Sequence, residues 1–432
     1  MLHSIPTDRF GALGEPMADA VSRCVHCGFC LAACPTYREL GQEMDSPRGR
    51  IVLMKEVLEG QVSVEEAQPH IDRCLGCLAC EPACPSGVPY RDLISPFRAL
   101  VSSQAPRTWQ ERLRRQLVSM TLPYPERFRP AAILGTWARR LPWVPSAMRP
   151  MLDLLPERVP SEVLWPEVTP ALGTRRARVA LLLGCAQQVL DPDLNTATLE
   201  VLAENGVEVV APQAQGCCGG LAWHTGDLGS ARTLARRNLL AFPRDVDAIL
   251  TNAAGCGSAL HEYGLILKGT ADEGQARAFA ERVQDVSVFL ERLGLRNPPT
   301  ELPYRVVYQD ACHLGNAQGV RQPPRNLLRS IPGLELLDLP DADQCCGSAG
   351  TYNIDQPELA AQLGERKARA ILASGATHVA SGNIGCLTQI RSHLKRLGSP
   401  IVACHTLQLL RDAYRRPGSC VPESLSPPVS RP

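Results

Sequence analysis

The sequence predicts an α+β protein of several domains, in which a helical N-terminal domain precedes two similar α/β lobes with parallel sheets. Three observations support this prediction. The chain has 432 residues, more than one compact core usually holds. A cysteine-rich motif occurs twice near the N-terminus, and the part of the chain after residue 178 is internally duplicated.

Composition and charge exclude several classes of protein. The hydrophobic fraction is 44% and the formal net charge is +1, which argues against the strongly basic kind of nucleic-acid-binding protein. The N-terminus shows no secretory pattern, and the longest apolar stretch, "VALLLGCA", is too short to span a bilayer. We therefore expect a cytoplasmic protein. Because a reducing cytosol keeps thiols free, its 18 cysteines point to metal binding or catalysis rather than to disulfides.

The N-terminal motif has the spacing C-x-x-C-x-x-C-x-x-x-C-P. It occurs as "CVHCGFCLAACP" and again as "CLGCLACEPACP", and the eight cysteines are Cys24, Cys27, Cys30, Cys34, Cys74, Cys77, Cys80 and Cys84. Three thiolates two residues apart can converge on a cubane iron-sulfur cluster, which needs soft anionic ligands. Structural zinc sites are the alternative, but zinc usually takes two C-x-x-C pairs per site rather than a triplet followed by a lone Cys-Pro.

This motif resembles that of bacterial two-cluster ferredoxins, in which the fourth cysteine ligates the other cluster. The resemblance implies two [4Fe-4S] clusters, the first held by Cys24, Cys27, Cys30 and Cys84 and the second by Cys34, Cys74, Cys77 and Cys80. The long segment between the motifs carries apolar residues at helical spacing, with Pro47 near the first turn and Gly60 as a stop. We therefore predict a helical ferredoxin-like domain over residues 1–100, similar to the iron-sulfur subunits of respiratory dehydrogenases.

Residues 101–177 are predicted to form a helical connector. They include Trp109, Trp137, Trp143 and Trp165, and nine arginines fall between residues 101 and 150, where Glu111 and Glu126 are the acidic residues. The locally basic surface is interpreted as an ordinary solvated face, with the tryptophans packed on a neighbouring domain. The alternative is docking to a partner subunit or to an anionic membrane surface.

Residues 178–295 and 303–415 show the same alternation of strand-like and helix-like segments. The first begins "RVALLLGC" and the second "YRVVYQDACHLG", and each is predicted to fold as a parallel α/β lobe. Cysteines occupy matching positions in the two lobes, at Cys185, Cys217, Cys218 and Cys256 and at Cys312, Cys345, Cys346 and Cys386. Because ligand sites gather at the carboxyl ends of parallel strands, we expect each group of four thiols to converge there.

The segments "GCCGG" and "QCCGSAG" resemble the CCG domains of heterodisulfide reductase subunits, lactate-utilisation proteins and several flavin-linked dehydrogenases. The whole chain resembles the iron-sulfur subunits of glycolate oxidases. This resemblance implies an electron-transfer subunit, inactive alone, that accepts electrons from FAD-containing partner subunits oxidising glycolate to glyoxylate. The electrons then pass towards a respiratory acceptor such as quinone, at the inner face of the cell membrane. No G-x-G-x-x-G or G-x-x-x-x-G-K-S/T loop occurs in this chain, in keeping with FAD on the partner.

The chain departs from the fullest CCG motif in one respect. That motif ends in C-x-x-C and can hold a noncubane [4Fe-4S] cluster, whereas this sequence has Cys256-Gly-Ser-Ala and Cys386-Leu-Thr-Gln. Four thiols per lobe still suffice in number, so a further cluster or a thiol site in each lobe remains a prediction. Two alternative functions remain: the same relay serving a lactate or glycerol-3-phosphate dehydrogenase, and a thiol enzyme of the heterodisulfide reductase type.

Several other residues are candidates for a functional role. His26 lies inside the first motif, where it could tune a cluster or simply face solvent. His313 and His405 each follow a cysteine, and we expect hydrogen-bonding roles for both. Cys404 and Cys420 are assigned no role, and the tail 416–432, rich in proline and serine, is predicted to be disordered.

Overall fold

The computed structural model describes residues 1–141, 144 and 148–415. Trp143, Cys420 and the predicted disordered tail 416–432 lie outside the described residues. Among the described residues, no helix combines the length and the apolar character needed to cross a lipid bilayer.

The N-terminal part is helical, as predicted. Its helices are α1 (Gly14–Ser22), α2 (Cys30–Ala33), α3 (Pro35–Leu40), α4 (Pro47–Leu58), α5 (Val64–Asp72) and α6 (Arg91–Gln104). The Oγ of Ser46 caps α4 by accepting a hydrogen bond from the amide of Gly49 at 3.0 Å, and Pro47 occupies its first turn. Beyond its C-terminus, Gly60 adopts a left-handed φ of 78°. The apolar residues at helical spacing in α4 face the core as predicted, and the buried ones are Ile51, Met54, Val57 and Leu58. Leu53, which belongs to the same pattern, is only half-buried.

The connector forms α7 (Trp109–Thr121), α8 (Pro125–Ala138) and α9 (Arg149–Leu152), followed by the short strand β1 (Val168–Thr169). The predicted packing of tryptophans is wrong for Trp109 and Trp137, which are 71% and 68% exposed. Trp165 does pack, and its indole N–H donates to Thr196 Oγ1 at 3.1 Å in the first lobe. The hairpin of α7 and α8 therefore presents aromatic surface to its surroundings.

The first lobe has a sheet of order β1-β3-β2-β4-β5, and all its strands run parallel except β1, which pairs with β3 at the edge. Its further elements are β2 (Ala177–Leu182), α10 (Gln187–Leu190), α11 (Asp193–Glu204), β3 (Val207–Val210), α12 (Gly220–Thr225), α13 (Leu228–Ala241), β4 (Ala248–Thr251), α14 (Ala254–His261), α15 (Tyr263–Ile266), α16 (Glu273–Ala280), β5 (Val283–Asp285) and α17 (Val286–Leu293). The antiparallel edge strand comes from the connector, which the sequence pattern did not predict.

The second lobe has a fully parallel sheet of order β7-β6-β8-β9. Its elements are β6 (Arg305–Tyr308), α18 (Gln322–Arg329), β7 (Glu335–Leu337), α19 (Tyr352–Asp355), α20 (Pro357–Ala373), β8 (His378–Ala380), α21 (Ile384–Arg396), β9 (Val402–Cys404) and α22 (Thr406–Tyr414). In each lobe the second parallel strand lies outside the first, and the third and fourth follow on the other side. The shared order confirms the internal duplication.

The two lobes pack through equivalent helices. Helix α11 of the first lobe contacts α22 of the second, and α17 of the first contacts α18 of the second. Since α11 and α18 follow the first parallel strand of their sheets and α17 and α22 follow the last, these pairs are related by an approximate twofold axis. One continuous apolar core, which includes Leu181, Leu202, Val306 and Leu410, joins the sheets across this interface. The two lobes thus form one unit.

Gly226 fixes the approach of the N-terminal domain to the first lobe. It has a φ of 88°, and a Cβ at this position would lie 2.2 Å from the carbonyl oxygen of Arg98 in α6. We expect Gly226→Ala to lower the free energy of unfolding by about 2 to 4 kcal/mol, because strain and overpacking add. Gly60→Ala is the matched control, since Gly60 also has positive φ but open space around it. Anaerobic urea unfolding should show that the control loses about 1 kcal/mol of stability. Equal losses of stability in the two variants would contradict the role of the close contact with Arg98.

Candidate metal centres

The two N-terminal cysteine motifs fold into loops of the same shape. The second residue after the first cysteine has a left-handed backbone in both loops, with φ of 57° at His26 and 63° at Gly76. The fourth residue does too, with φ of 85° at Gly28 and 58° at Leu78. His26 and Leu78 are not glycine, and such strained positions concentrate at functional sites. Each loop therefore turns at the same two places relative to its cysteines.

The thiols of Cys24, Cys27, Cys30 and Cys84 line one cavity near the protein surface, together with Cys80. Burial raises the pKa of Cys24 and raises that of Cys30 to about 11, and the neighbouring thiols add to both shifts. The rim of this cavity is accessible, because Cys27 is exposed and the apolar side chains of Val25 and Phe29 are 64% and 68% exposed. We call these four thiols the first set.

The thiols of Cys34, Cys74, Cys77 and Cys80 line a second, adjoining cavity. Cys80 lines both cavities, so the two thiol sets lie side by side. The amide of Gly76 donates to Cys74 Sγ at 3.4 Å, and the hydroxyl of Tyr90 lies 3.8 Å from the same sulfur. Burial raises the pKa of Cys77 and Cys80 well above the usual range. We call these four thiols the second set.

A buried arginine lies against the second set. The side chain of Arg50 is 1% exposed, and its Nη1 donates to Thr36 Oγ1 at 3.0 Å and lies 3.9 Å from Cys34 Sγ. Its Nη2 pairs at 3.4 Å with Asp45, which is itself fully buried. Burial alone would raise the pKa of Cys74, but the charges of Arg50 and Arg98 hold it below its usual value. The second set therefore lies in a buried, electropositive environment.

These donor sets fit the chemistry of iron-sulfur clusters. Each cavity is surrounded by thiols from both loops, and thiolate is the ligand that cubane clusters require. In the part of the chain that the structure describes, no three His, Cys, Asp or Glu side chains are arranged to hold a single metal ion.

The loop of the second set is seated on the second lobe. His313 Nε2 lies 2.9 Å from the carbonyl oxygen of Gly76, and the side-chain amide of Asn316 donates to the carbonyl of Cys77 at 3.1 Å. Tyr352 donates its hydroxyl to the carbonyl of Arg73 at 2.9 Å. Cys77 also shares a small buried cluster with Cys345. His313 opens a π-helical turn directly after Cys312, so the second set adjoins the thiols of the second lobe.

The four cysteines of the first lobe converge as predicted from the strand order. Cys185 follows β2, Cys217 and Cys218 precede α12, and Cys256 lies in the first turn of α14. The Sγ atoms of Cys185 and Cys217 are 3.5 Å apart. Hydrogen bonding with the thiols of Cys185 and Cys218 lowers the pKa of Cys217 well below its usual value. Gly220 donates its amide to Cys218 Sγ at 3.4 Å.

The four cysteines of the second lobe form the equivalent group. Hydrogen bonds from Cys345 and Cys386 lower the pKa of Cys346 well below its usual value. The thiol of Cys345 forms a hydrogen bond with that of Cys312, and this hydrogen bond is the main cause that raises the pKa of Cys345 well above its usual value. Cys386 lies in the first turn of α21, as Cys256 does in α14.

The two lobe groups lie close to the lobe interface. The amide of Ala254 donates to the carbonyl of Gly382 at 3.0 Å, and that of Gly255 to Asn383 Oδ1 at 3.3 Å. Ala254 also packs in one buried cluster with Cys346 and Cys386. The N-terminal turns of α14 and α21, each carrying one of the cysteines, therefore meet across the approximate twofold axis.

The position of the missing last thiol is filled in both lobes. Ala259, three residues after Cys256, is fully buried in the apolar cluster of the first lobe that also contains Cys217 and Cys218. Gln389, three residues after Cys386, is 3% exposed and donates its amide to the carbonyl of Ala360 at 3.0 Å. Both side chains are part of the packing, so each lobe group consists of four thiols.

A buried carboxyl group lies behind the first-lobe thiols and makes stability depend on pH. Burial raises the pKa of Glu262 to about 7, although Trp223 and Ser258 donate hydrogen bonds to it. The folded state therefore binds this proton more tightly than the unfolded state, and stability falls as pH rises from the ordinary carboxyl pKa towards 7. We expect the stability of the native protein relative to Glu262→Gln to fall by about 2 kcal/mol between about pH 5 and pH 8. Anaerobic urea unfolding at the two pH values measures this difference, and a constant difference would contradict the raised pKa.

The remaining candidates have structural surroundings. His26 is exposed and lies on the rim of the first cavity. His405 is buried and caps α22, accepting from the amide of Leu407 at 3.1 Å. Cys404 belongs to the core between the lobes, and burial raises its pKa to about 12.

Sequence reasoning missed three residues of the sites. Arg50 and its partner Asp45 were not singled out, although "MDSPRGRI" places charges unusually close to an apolar helical face. His224 was also missed, although it lies seven residues after Cys217, as Tyr352 does after Cys345. These residues become conspicuous only when the fold brings separate segments together.

Comparison with protein families divides the chain in the same way. Residues 20–88 match the family described as "4Fe-4S dicluster domain". Residues 179–261 and 306–391 each match the family described as "Cysteine-rich domain" (CCG).

Curated relatives extend the similarity over most of the chain. The chain is 38% identical over 413 residues to the "Probable glycolate oxidase iron-sulfur subunit" of Bacillus subtilis, covering 90% of this chain and 93% of that protein. It is 38% identical over 408 residues to the "Glycolate oxidase iron-sulfur subunit" of Escherichia coli, covering 92% and 96%. It is 30% identical to "Lactate utilization protein A" of Oceanobacillus iheyensis, over 54% of this chain and 96% of that protein.

Proposed function

Because this chain belongs to the glycolate oxidase iron-sulfur subunit family, we propose that it relays electrons from an FAD-containing partner that oxidises glycolate to glyoxylate towards a respiratory acceptor. The observation that carries this proposal is the 38% identity over nearly the full length of two relatives of that name. The match to the 4Fe-4S dicluster family supports two [4Fe-4S] clusters. The chain serves as the electron-transfer subunit of an oxidoreductase and is inactive alone.

The first cluster is held by Cys24, Cys27, Cys30 and Cys84, and the second by Cys34, Cys74, Cys77 and Cys80. The two cavities, each lined by one of these sets, support this exchanged assignment. When bound, each cluster accepts and releases one electron at a time. The protein fixes the distance between them through Cys80, which borders both cavities.

Electrons enter at the first set and leave from the second. The first set lies at the surface beside exposed Val25, Phe29 and Met44, which form an apolar contact area for the flavoprotein. The second set is buried against Arg50, whose positive charge stabilises added negative charge and raises the reduction potential there. Transfer from the first set to the second is therefore downhill.

The domain boundaries that accompany this function are 1–100 for the ferredoxin-like domain, 101–177 for the connector, 178–295 and 303–415 for the lobes and 416–432 for the tail. The lobes hold either a further cluster or a thiol site at Cys185, Cys217, Cys218 and Cys256 and at Cys312, Cys345, Cys346 and Cys386. The contacts of Gly76 and Cys77 with the second lobe support a role of that lobe downstream of the second set.

The connector hairpin is the proposed contact with the inner face of the cell membrane. On α7 an exposed apolar stripe runs through Trp109, Leu113, Leu117 and Met120, and on α8 Trp137 is exposed. Of the nine arginines between residues 101 and 150, Arg112, Arg127 and Arg140 are exposed on this hairpin and add positive charge to its surface. An apolar stripe flanked by arginine is typical of helices that lie at an anionic membrane interface.

Two alternative functions differ in what they require. A relay for a lactate dehydrogenase is supported by the similarity to lactate utilization protein A, at lower identity and over about half of this chain. A thiol enzyme of the heterodisulfide reductase type is disfavoured, because Ala259 and Gln389 fill the positions of the last thiols.

The function is tested by purifying the tagged chain anaerobically from its own cells. Dye-linked oxidation is then measured with glycolate, D-lactate, L-lactate and glycerol-3-phosphate. We expect flavin-containing chains in the same fraction and a preference for glycolate.

A Cys404→Ala variant is the matched control for a Cys74→Ser variant, which should lose the transfer of electrons from the flavoprotein beyond the first cluster. Activity that prefers another substrate, or reduction of the second cluster by glycolate that is unchanged by Cys74→Ser, would contradict the proposal.

A further inference from the structure

A cavity of about 710 Å³ lies where the N-terminal domain, the connector and the first lobe meet. Its walls come from residues 9–17 and α6 of the N-terminal domain, from α7 of the connector, and from α12 and α13 of the first lobe, with Thr351 of the second lobe at one edge. A volume of this size is within the range of cavities that bind small organic ligands.

The lining is amphipathic. Apolar side chains form most of the wall, among them Phe10, Leu13, Met17, Leu100, Val118 and Leu228. Arg9, Arg115 and Tyr124 add hydrogen-bond donors. This combination suits a mainly apolar molecule that carries a few oxygen acceptors.

A smaller chamber of about 70 Å³ adjoins this cavity and leads to the second thiol set. Arg115, Thr225 and Thr351 line both spaces. The chamber is also lined by Cys74 of the second set and by His224. A molecule at the junction of cavity and chamber therefore lies close to Cys74, one of the four thiols of the second set.

His224 leaves a hydrogen-bonding group unused in this chamber. Its Nε2 is buried and has no hydrogen-bond partner, while its Nδ1 lies 3.5 Å from Ser95 Oγ. Its ring lies 5.2 Å from that of His313, which also lines the chamber. Leaving a buried polar atom unpaired is costly, so a ligand oxygen at this place would complete the site.

We propose that this cavity binds a lipid-soluble quinone, with its ring at the junction and one carbonyl oxygen hydrogen-bonded to His224 Nε2. The inference rests on the proposed relay, because that relay supplies the electrons. Two electrons arrive singly by way of the second set, and two protons come from solvent that reaches the cavity. Both C=O groups of the quinone thereby become C–OH, and the quinol leaves.

The position of α7 supports a ligand that arrives from a membrane. This helix contributes Arg115, Gln116, Val118 and Ser119 to the cavity wall. The neighbouring face of the same helix carries the exposed apolar stripe, and Gln116 directly precedes Leu117 of that stripe. A single helix thus borders both the cavity and the surface proposed to lie on lipid.

The test uses 2-heptyl-4-hydroxyquinoline N-oxide, a fluorescent quinone analogue whose emission is quenched on binding. It is titrated into the cluster-loaded chain under anaerobic conditions. Ser119→Trp places a large ring at an exposed position of the cavity wall, and Gln110→Trp adds the same ring to an exposed position of α7 outside the wall. We expect the first variant to weaken binding at least about tenfold and the second to bind as the native chain does.

His224→Phe keeps an aromatic ring but removes the donor, and should weaken binding about fivefold. The electron paramagnetic resonance spectrum of the reduced clusters should be unchanged in all three variants. A loss of binding in either cavity variant that the control does not share supports the site. No quenching with the native chain, or binding that survives both substitutions, overturns it. The proposed relay is judged separately, because dye-linked glycolate oxidation by the complex does not require the quinone cavity.

Discussion

Replacing Cys84 with serine should remove the cluster built around Cys24, Cys27 and Cys30 and leave the other cluster in place. The reason is the proposed exchange of fourth ligands between the two loops, which is supported by the position of Cys84 in the cavity of the first set. Iron content should fall from about eight to about four atoms per chain. The electron paramagnetic resonance spectrum of the dithionite-reduced protein should lose the signs of magnetic coupling between two neighbouring reduced clusters.

The reciprocal variant separates this assignment from a general loss of folding. Cys34→Ser should remove the cluster around Cys74, Cys77 and Cys80 and preserve the first, because Cys34 lines the cavity of the second set. Cys404→Ser is the control, since Cys404 is equally buried but belongs to the core between the lobes. Loss confined to the triplet that shares a loop with the mutated cysteine would disprove the exchange.

Replacing Arg50 with methionine should have the second large effect. It leaves the fully buried Asp45 with His70 and Arg73 as its remaining partners, and removes a donor from Thr36 Oγ1. Breaking a buried ion pair typically costs about 3 to 5 kcal/mol, which anaerobic urea unfolding would measure. The reduction potential of the second cluster should fall by on the order of 60 mV, a tenfold change in the equilibrium of a one-electron couple.

Arg48→Met is the matched control for this variant. Arg48 lies beside the first set, but its ion pair with Glu43 is partly exposed and screened by solvent. We expect little change in the free energy of unfolding. The shift in reduction potential should be smaller than in Arg50→Met and confined to the first cluster. A potentiometric titration that finds the second cluster unmoved in Arg50→Met would remove the physical reason for the direction of transfer.

The sequence predicted best the features that depend on local spacing. The cysteine motifs, helix α4 between Ser46 and Gly60, and the repeated strand order all follow from patterns within short stretches of chain. The convergence of the lobe cysteines also followed from the rule that sites gather at the carboxyl ends of parallel strands.

Features that depend on distant segments could not be predicted in this way. The antiparallel strand β1 is two residues long and is specified by its pairing with β3 rather than by its own sequence. The pairing of Arg50 with Asp45 and the position of His224 beside His313 arise from contacts between separate parts of the chain. The exposure of Trp109 and Trp137 likewise depends on what packs nearby, which residue type alone does not determine.

The approximate twofold relation of the lobes has a consequence for stoichiometry. Had the lobes been separate identical subunits, each would have offered the same docking surface, and a symmetric pair would have carried two relays. Covalent fusion lets the halves differ, so that His313 stands at one site where Ala186 stands at the other, and His224 where the other has Tyr352. In the proposed relay, one N-terminal domain is joined to two lobes. One electron inlet would therefore accompany each pair of lobes, and the chain has a polarity that a homodimer lacks.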